Sequence, residues 1–406
     1  ARLDARADLA AADADKPVPE YRSDDWVARR PWLDRFAAEY GLGVDGISLP
    51  LAILTALVTF LAVAASWTVS HSVRGYLVMI LLLESGVLGA FLALDLLLFL
   101  IFYELTLPTM YVLIGLWGGG RRRLAAFKFV LYTLVGGVCL LVALIALYSV
   151  NVLDFVPQDR VRSEIESLKR ANPTLSDADA RERVEVHTFD FVTLARAGRA
   201  AMLVLTGQEA RLAAKTDPRE PAGGVNGRDP VKLFAPGADV EKAVARLKAQ
   251  PLCTANFQYL VFLLLFVGFA VKVPLVPLHS WLPDAHVEAP TPVSMILAGI
   301  LLKLGGYGLI RFAFPICPWA ASELAWWVGL VGVVGIVYGA LVAMGQTDFK
   351  KLLAYSSVSH MGFVVLGLAA WSSGARAQYW EWGVGGAVYQ MVAHGITASA
   401  LFFAVG

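Results

Sequence analysis

Apolar residues run almost without interruption through nine stretches, at about 47–67, 76–94, 96–117, 129–150, 257–276, 292–314, 323–345, 352–371 and 383–405. A helix rises 1.5 Å per residue, so each run can cross the roughly 30 Å of hydrocarbon in a bilayer. Turn residues separate them, among them Gly118–Gly120, Pro315 with Pro318, and Ser372-Ser373-Gly374. The pattern predicts an all-α, polytopic membrane helix bundle of about nine transmembrane helices.

Polar segments divide that bundle. Residues 1–45 hold 17 of the 67 charged residues and residues 151–256 hold another 31, so most of the charge lies outside the apolar runs. Four regions follow: a polar N-terminal segment (1–46), a first membrane helix group (47–150), a charged insert (151–256) and a second membrane helix group (257–406). Within the insert, 160–185 and 238–249 read as helix-compatible. Pro218, Pro221, Gly223-Gly224 and Gly227 make much of 208–237 read as disorder-prone. Orientation follows from the short loops. One side receives Arg74, Arg121-Arg122-Arg123, Lys128, Lys350 and Lys351, whereas the other offers Arg376. Positive loops stay cytoplasmic, so the triple arginine is a topology anchor, and both the N-terminal segment and the insert fall on the outer side. No hydrophobic signal precedes the polar N-terminal segment and the first residue is Ala, so the chain is expected to be a fragment of a longer protein.

Composition agrees with a lipid setting: 57% of residues are hydrophobic, 17% are charged, and the mean hydropathy is +0.62. A net charge of +1 without a clustered basic face argues against nucleic-acid binding. Cys139, Cys253 and Cys317 are far apart with no C-x-x-C, which supports neither an iron–sulfur cluster nor a thiolate zinc site. No G-x-G-x-x-G follows a strand. No cofactor is expected on this chain, and any redox centre would sit on another. Cys253 and Cys317 share the outer side, which leaves a disulfide between them open.

The candidate chemistry is buried charge. Glu104, Lys303, His360 and His394 lie near the middle of four spans, and Lys272 lies two residues before Pro274. A charge at the centre of a spanning helix costs about 2.5–3.5 kcal/mol on insertion scales, so such groups face the bundle interior and mark proton or ion pathways. A structural ion pair between Glu104 and Lys272 is the plainer alternative. A histidine can likewise do no more than hydrogen-bond between helices. Ser356, Ser357, Ser359 and His360 fall within about one turn and suggest a polar stripe able to hold water. Pro274 and Pro277 break the helix beside Lys272, and broken helices survive in membranes where protein or water satisfies the freed backbone.

Other polar residues read as structural. His279, Asp284, His286 and Glu288 are expected in a loop, where bracing or capping of the following helix accounts for the acids better than a metal does. Asp95 is expected to cap a tight corner. Gly329, Gly332, Gly335 and Gly339 suggest close helix packing.

The run FAVKVPLVPLHSWLPDAHVEAPTPVSMILAGILLKLGGYG at 269–308 resembles the antiporter-like subunits of respiratory complex I. GVDGISLP at 43–50, LALDLLLFLIFYELTLPTMYVLIGLWG at 92–118, TDFKKLLAYSSVSHMGF at 347–363 and YQMVAHGITASALF at 389–402 support the likeness. The pairing of P-D-A-H with ILAGILLKLGGYG favours the M branch over its L and N paralogues. The resemblance covers 43–150 and 257–406. It implies an inverted-repeat fold with a broken helix near Lys272–Pro277 and a proton relay through Glu104, Lys272, Lys303, His360 and His394. It further implies a place in a bacterial inner membrane, beside other membrane-arm subunits and especially the paralogous antiporter-like ones. The rival implied by the same motifs is a subunit of a multi-subunit cation/proton antiporter. Two departures stand out: the sequence ends before the family's second broken helix, and the insert at 151–256 is longer than usual.

Overall fold

The computed structural model describes residues 27–33, 38–176, 179–180, 183–213, 233–372 and 377–406. The Arg376 loop position, most of the Pro/Gly-rich part of the insert and residues 1–26 lie outside the described residues. The long elements are α1 (Ser48–Ala64), α2 (Val73–Leu92), α3 (Leu96–Trp117) and α4 (Arg122–Tyr148). The insert contributes α5 (Gln158–Ala171), α6 (Phe191–Leu205) and α7 (Val240–Lys248). Then come α8 (Ala255–Lys272), the short α9 (Trp281–Glu288), α10 (Thr291–Ile316), α11 (Ala325–Met344), α12 (Phe349–Ser372) and α13 (Ala377–Val405). Among the described residues, nine of these helices are long and apolar enough to span a bilayer.

Helix α10 is the hub, and all but Thr291 and Pro315 of its residues are buried. Missing side chains make room for its neighbours. A Cβ on Gly299 would stand 2.3 Å from Ser399 of α13 and 3.1 Å from Val58 of α1, and one on Gly306 would stand 2.7 Å from Met391 of α13. Helices pack this closely in membranes through small residues because no hydrophobic force separates side chain from lipid. The same device joins α11 to α12: a Cβ on Gly332 would meet the Gly362 carbonyl at 3.0 Å, and one on Gly339 would meet the Ser359 nitrogen at 2.7 Å. The outward faces carry residues such as Ile145, Leu341 and Met344, an apolar surface suited to lipid.

Several boundaries differ from those expected. Helix α4 starts at Arg122, so Arg122 and Arg123 form its first turn instead of a loop, and Arg122 donates to the carbonyls of Leu116 and Gly118. Helix α8 ends at Lys272, where Pro274 and Pro277 cannot continue it. The segment with Asp284, His286 and Glu288 is not a loop but α9, whose first turn holds Pro283 and Asp284 where helices tolerate proline and favour acids. Cys253 and Cys317 are free thiols, so the disulfide left open by the sequence is not formed.

Two polar features cap one end of the bundle. Strands β1 (Val27–Leu33) and β2 (Ala38–Gly43) form an antiparallel hairpin, an exception to the all-helical expectation, with an irregularity between Pro31 and Leu33. It is tied to the corner before α3, where the Leu94 N–H donates to the Gly41 carbonyl. The described part of the insert is a folded cap. Arg246 of α7 pairs with Asp154, and α6 packs so tightly on the end of α10 that a Cβ on Gly198 would clash with the Ile316 carbonyl.

Candidate functional site: a buried lysine–histidine axis

Lys272 ends α8 and is 2% exposed. Its ammonium donates to the Tyr103 carbonyl at 3.0 Å and to Thr106 Oγ1 at 2.9 Å, and it lies 3.3 Å from the centroid of the Tyr103 ring. Backbone, hydroxyl and aromatic face thus replace its hydration. Glu104 is on a neighbouring face of α3 and points at α4, where a Cβ on Gly137 would stand 2.4 Å from its Oε1. Among the described residues no carboxylate is within ion-pair distance of Lys272, so the expected direct Glu104–Lys272 pair is not made. The two charges still sense each other from adjacent faces. Pro108 sits in the same helix and lacks the N–H that would bond the Glu104 carbonyl, which frees backbone polarity beside the carboxylate.

Lys303 is fully buried in α10. Its ammonium bonds the Ala298 carbonyl and is 2.7 Å from His394 Nδ1. Ala298 belongs to a π-turn, Leu297–Leu301, and a second π-turn spans Leu309–Ala313. A π-turn displaces carbonyls from the ordinary i→i−4 ladder and commonly marks a working position in a helix. His394 Nε2 is 3.0 Å from Ser357 Oγ, and that hydroxyl donates to the Leu353 carbonyl. The tautomer follows from these partners. Lys303 can only donate, so Nδ1 accepts; the Ser357 proton is committed to Leu353, so Nε2 carries the proton and donates to Ser357.

His360 sits beside this chain, its ring centroid 5.3 Å from that of His394, and its Nδ1 is 2.9 Å from the Gln390 amide nitrogen. The axis therefore reaches the exposed side of α12 and α13 at His360. The four-residue polar stripe does not hold together as one surface. Ser359 turns the other way and donates to the Ile336 carbonyl of α11, leaving Ser357 and His360 on the axis. The structure thus groups Lys303, His394 and His360, with Ser357, and groups Glu104 with Lys272 around Tyr103 and Thr106. Helices α8 and α10 join the two groups, since a Cβ on Gly305 would meet the Phe269 carbonyl and Val273 at 2.7–2.8 Å.

The α9 acids brace the end of the bundle away from the insert. Asp284 pairs with Lys128 at 2.7 Å, and Glu288 accepts the Arg121 N–H at 2.8 Å. His286 stacks on Phe402 with centroids 4.4 Å apart. These partners point in different directions and do not form a common ligand set.

Three features escaped the sequence reading. Arg311, 6% exposed, pairs with Asp45 and donates to the Tyr307 hydroxyl, which donates in turn to the Phe91 carbonyl. Asp45 also accepts the N–H groups of Ile47 and Ser48. Burial acts to raise its pKa, but Arg311 and these donors outweigh that and hold it below the usual value. Arg311 is near a helix end and its partner is 266 positions away, so no local signal betrays the pair. Glu84, in the middle of α2, has no hydrogen-bond or ion-pair partner among the described residues; an acid in an apolar window was the available signal. Finally, Asp95 caps α3 as expected, accepting the N–H groups of Leu97 and Leu98, but it also accepts that of Glu39 from the hairpin. Burial raises its pKa to about 6, with Asp190 adding to the effect. Asp190 caps α6 and stays low: burial opposes its charge, but Arg29 and the Thr193 donors outweigh it.

The family described as NADH:quinone oxidoreductase/Mrp antiporter, transmembrane region, matches residues 93–162 and 242–406. NADH-quinone oxidoreductase subunit M of Rickettsia conorii is 36% identical over 393 residues, 97% of this chain and 60% of its own length. The protein of the same name from Rhodobacter capsulatus is 37% identical over 381 residues, 94% of this chain and 58% of its own length. The chain therefore spans about 60% of the length of these curated relatives. Among solved structures, a chain of respiratory complex I from Thermus thermophilus with bound NADH aligns over 93% of this chain and 60% of its own, with 26% identity and a TM-score of 0.62. A chain of the Mrp complex from Dietzia sp. aligns over 99% of this chain and 34% of its own at 23% identity and a TM-score of 0.59, a likeness of fold.

Proposed function

The chain belongs to the NADH:quinone oxidoreductase/Mrp antiporter membrane family, and from that premise we propose that it is a proton-translocating membrane-arm subunit of an NADH-quinone oxidoreductase. Electron transfer takes place on other subunits, with no redox centre on this one. Its partners are the other membrane-arm subunits, the paralogous antiporter-like ones above all, and its site is a bacterial inner membrane.

The observation that carries the reading is that Lys303 is fully buried and, among the described residues, has no carboxylate partner. A buried cation held for structure is normally paired, because an uncompensated charge in the interior costs several kcal/mol. Lys303 faces a basic acceptor instead. Moving its proton to His394 Nδ1 leaves a neutral amine and an imidazolium, so the charge travels while the hydrogen bond stays in place. His394 can then pass its Nε2 proton to Ser357 Oγ as Ser357 turns its own proton away from the Leu353 carbonyl toward a further acceptor, and His360, its ring centroid 5.3 Å from that of His394, is the next base beside the chain. Lys272 and Glu104 form the second station. Its lysine is desolvated, and a shift of Glu104 toward or away from it changes how tightly the proton is held. Such modest changes suffice, since moving one proton against 100 mV costs about 2.3 kcal/mol.

The test is Lys303→Ala in the assembled complex in sealed vesicles. Acidification driven by NADH oxidation falls steeply while quinone reduction uncoupled from the gradient falls less. Unchanged acidification would leave the chain a scaffold. A second reading, a cation/proton antiporter subunit, is favoured by the alignment of the Mrp chain over 99% of this one; it predicts that transport follows sodium rather than NADH.

A further inference from the structure

The surroundings of Lys272 differ sharply in its two directions. Toward the inner side lie polar groups: Tyr132 and Ser280 with hydroxyls 2.8 Å apart, His279, and the half-exposed Lys128–Asp284 pair. Toward the outer side the next layer is aromatic and apolar, with the paired Arg311 and the Tyr307 hydroxyl at its margin. Tyr103 packs edge-on against Phe269 (5.9 Å), Phe269 against Phe99 (5.9 Å), and Phe99 lies 4.5 Å from Phe312. Above them Phe191, on α6 of the insert, meets Phe312 edge-on at 5.8 Å. Phe99, Phe269 and Phe312 are at most 3% exposed. A Cβ on Gly308 would fall 2.2 Å from the Phe269 ring, so glycine lets this ring lie against α10.

Beside these rings lies a partly open pocket of about 20 Å³ lined by leucine and phenylalanine, among them Leu96, Phe99, Leu140, Leu265, Phe269 and Phe312. A water would just fit, but buried water needs two to four polar partners and these side chains offer none. We propose that this aromatic layer is an outer seal, which bars water and protons on the outer side from Lys272, and that the insert supplies its lid through Phe191. The seal rests on the relay reading for its purpose: a station open to both sides at once would let protons flow back. Its existence can be tested without turnover.

The probe is a thiol at the lysine's own hydroxyl partner, Thr106→Cys, in the assembled complex with the three native cysteines replaced by serine. With the phenylalanines intact, a membrane-impermeant thiol reagent on the outer side leaves it unlabelled. Phe269→Ser with Phe312→Ser gives water both room and partners, and labelling rises about tenfold. Phe269→Leu keeps the layer dry and the thiol protected. Should the double variant fail to assemble, Phe191→Ser at the lid gives the same readout from a helix outside the bundle. Labelling from the outer side through intact phenylalanines, or no increase in assembled serine variants, overturns the seal. A Lys303→Ala complex that pumps normally would defeat the relay reading and leave this labelling pattern untouched.

Discussion

Lys303, His394 and Ser357 form a hydrogen-bonded chain inside an apolar bundle. The lysines and histidines were legible in the sequence because ionisable groups stand out in apolar windows, but their partners were not. Nothing within a few residues of Ser359 says that it turns toward α11, and Glu104 misses Lys272 because adjacent residues of one helix point 100° apart. The ion pair of Arg311 with Asp45 was equally hidden. Asp45→Asn keeps a side chain able to cap α1, so its effect isolates that pair; breaking a buried pair costs about 3–5 kcal/mol, read as a lowered melting temperature in detergent. Asp95 gives a pH prediction. Its folded pKa, about 6, lies above the ordinary aspartate value of 3.8, so the folded state binds the extra proton. Its contribution to stability is therefore fully present below about pH 4, declines as pH rises through about 6, and is constant above that. Thermal unfolding followed between pH 4 and 7 falls with this slope in the native chain, and the slope is lost in Asp95→Asn.

At the level of elements, spans could be read to within a few residues, with informative exceptions. Helix α4 extends through Arg122 and Arg123 because long basic side chains tolerate a helix start at the membrane surface, where hydropathy alone stops seven residues later. The π-turns of α10 left no sequence signal, since they arise from packing on all sides and from Lys303 reaching a carbonyl five residues back. The glycines of α11 were read correctly as packing. A Cβ on Gly362 would meet the Gly332 carbonyl at 2.7 Å and the Ile336 nitrogen at 2.9 Å, both rigid backbone. Gly362→Leu therefore separates α11 from α12 and destabilises by about 1–3 kcal/mol or more, seen in the melting temperature. Gly385→Ala, with nothing within 4 Å, is tolerated.

For the whole molecule, one end gathers the hairpin, the corner before α3 and the insert into one ionic layer: Arg29 reaches both Asp190 and Glu39, and Arg160 reaches Glu39. The sequence located these segments by charge but could not assign them structure, because their contacts join positions far apart in the chain. Beneath that layer lie the two buried groups, Glu104 with Lys272 and Lys303 with His394, joined through the packing of α8 on α10. The central claim is that Lys303 and His394 act as one proton-conducting unit. The most direct test is a double-mutant cycle on the proton-to-electron ratio of the assembled complex, using Lys303→Ala, His394→Ala and both together. Members of one unit are not additive, so each single change should lower the ratio about as far as the double. Losses that add, or a ratio unchanged in either single variant, would contradict a shared path.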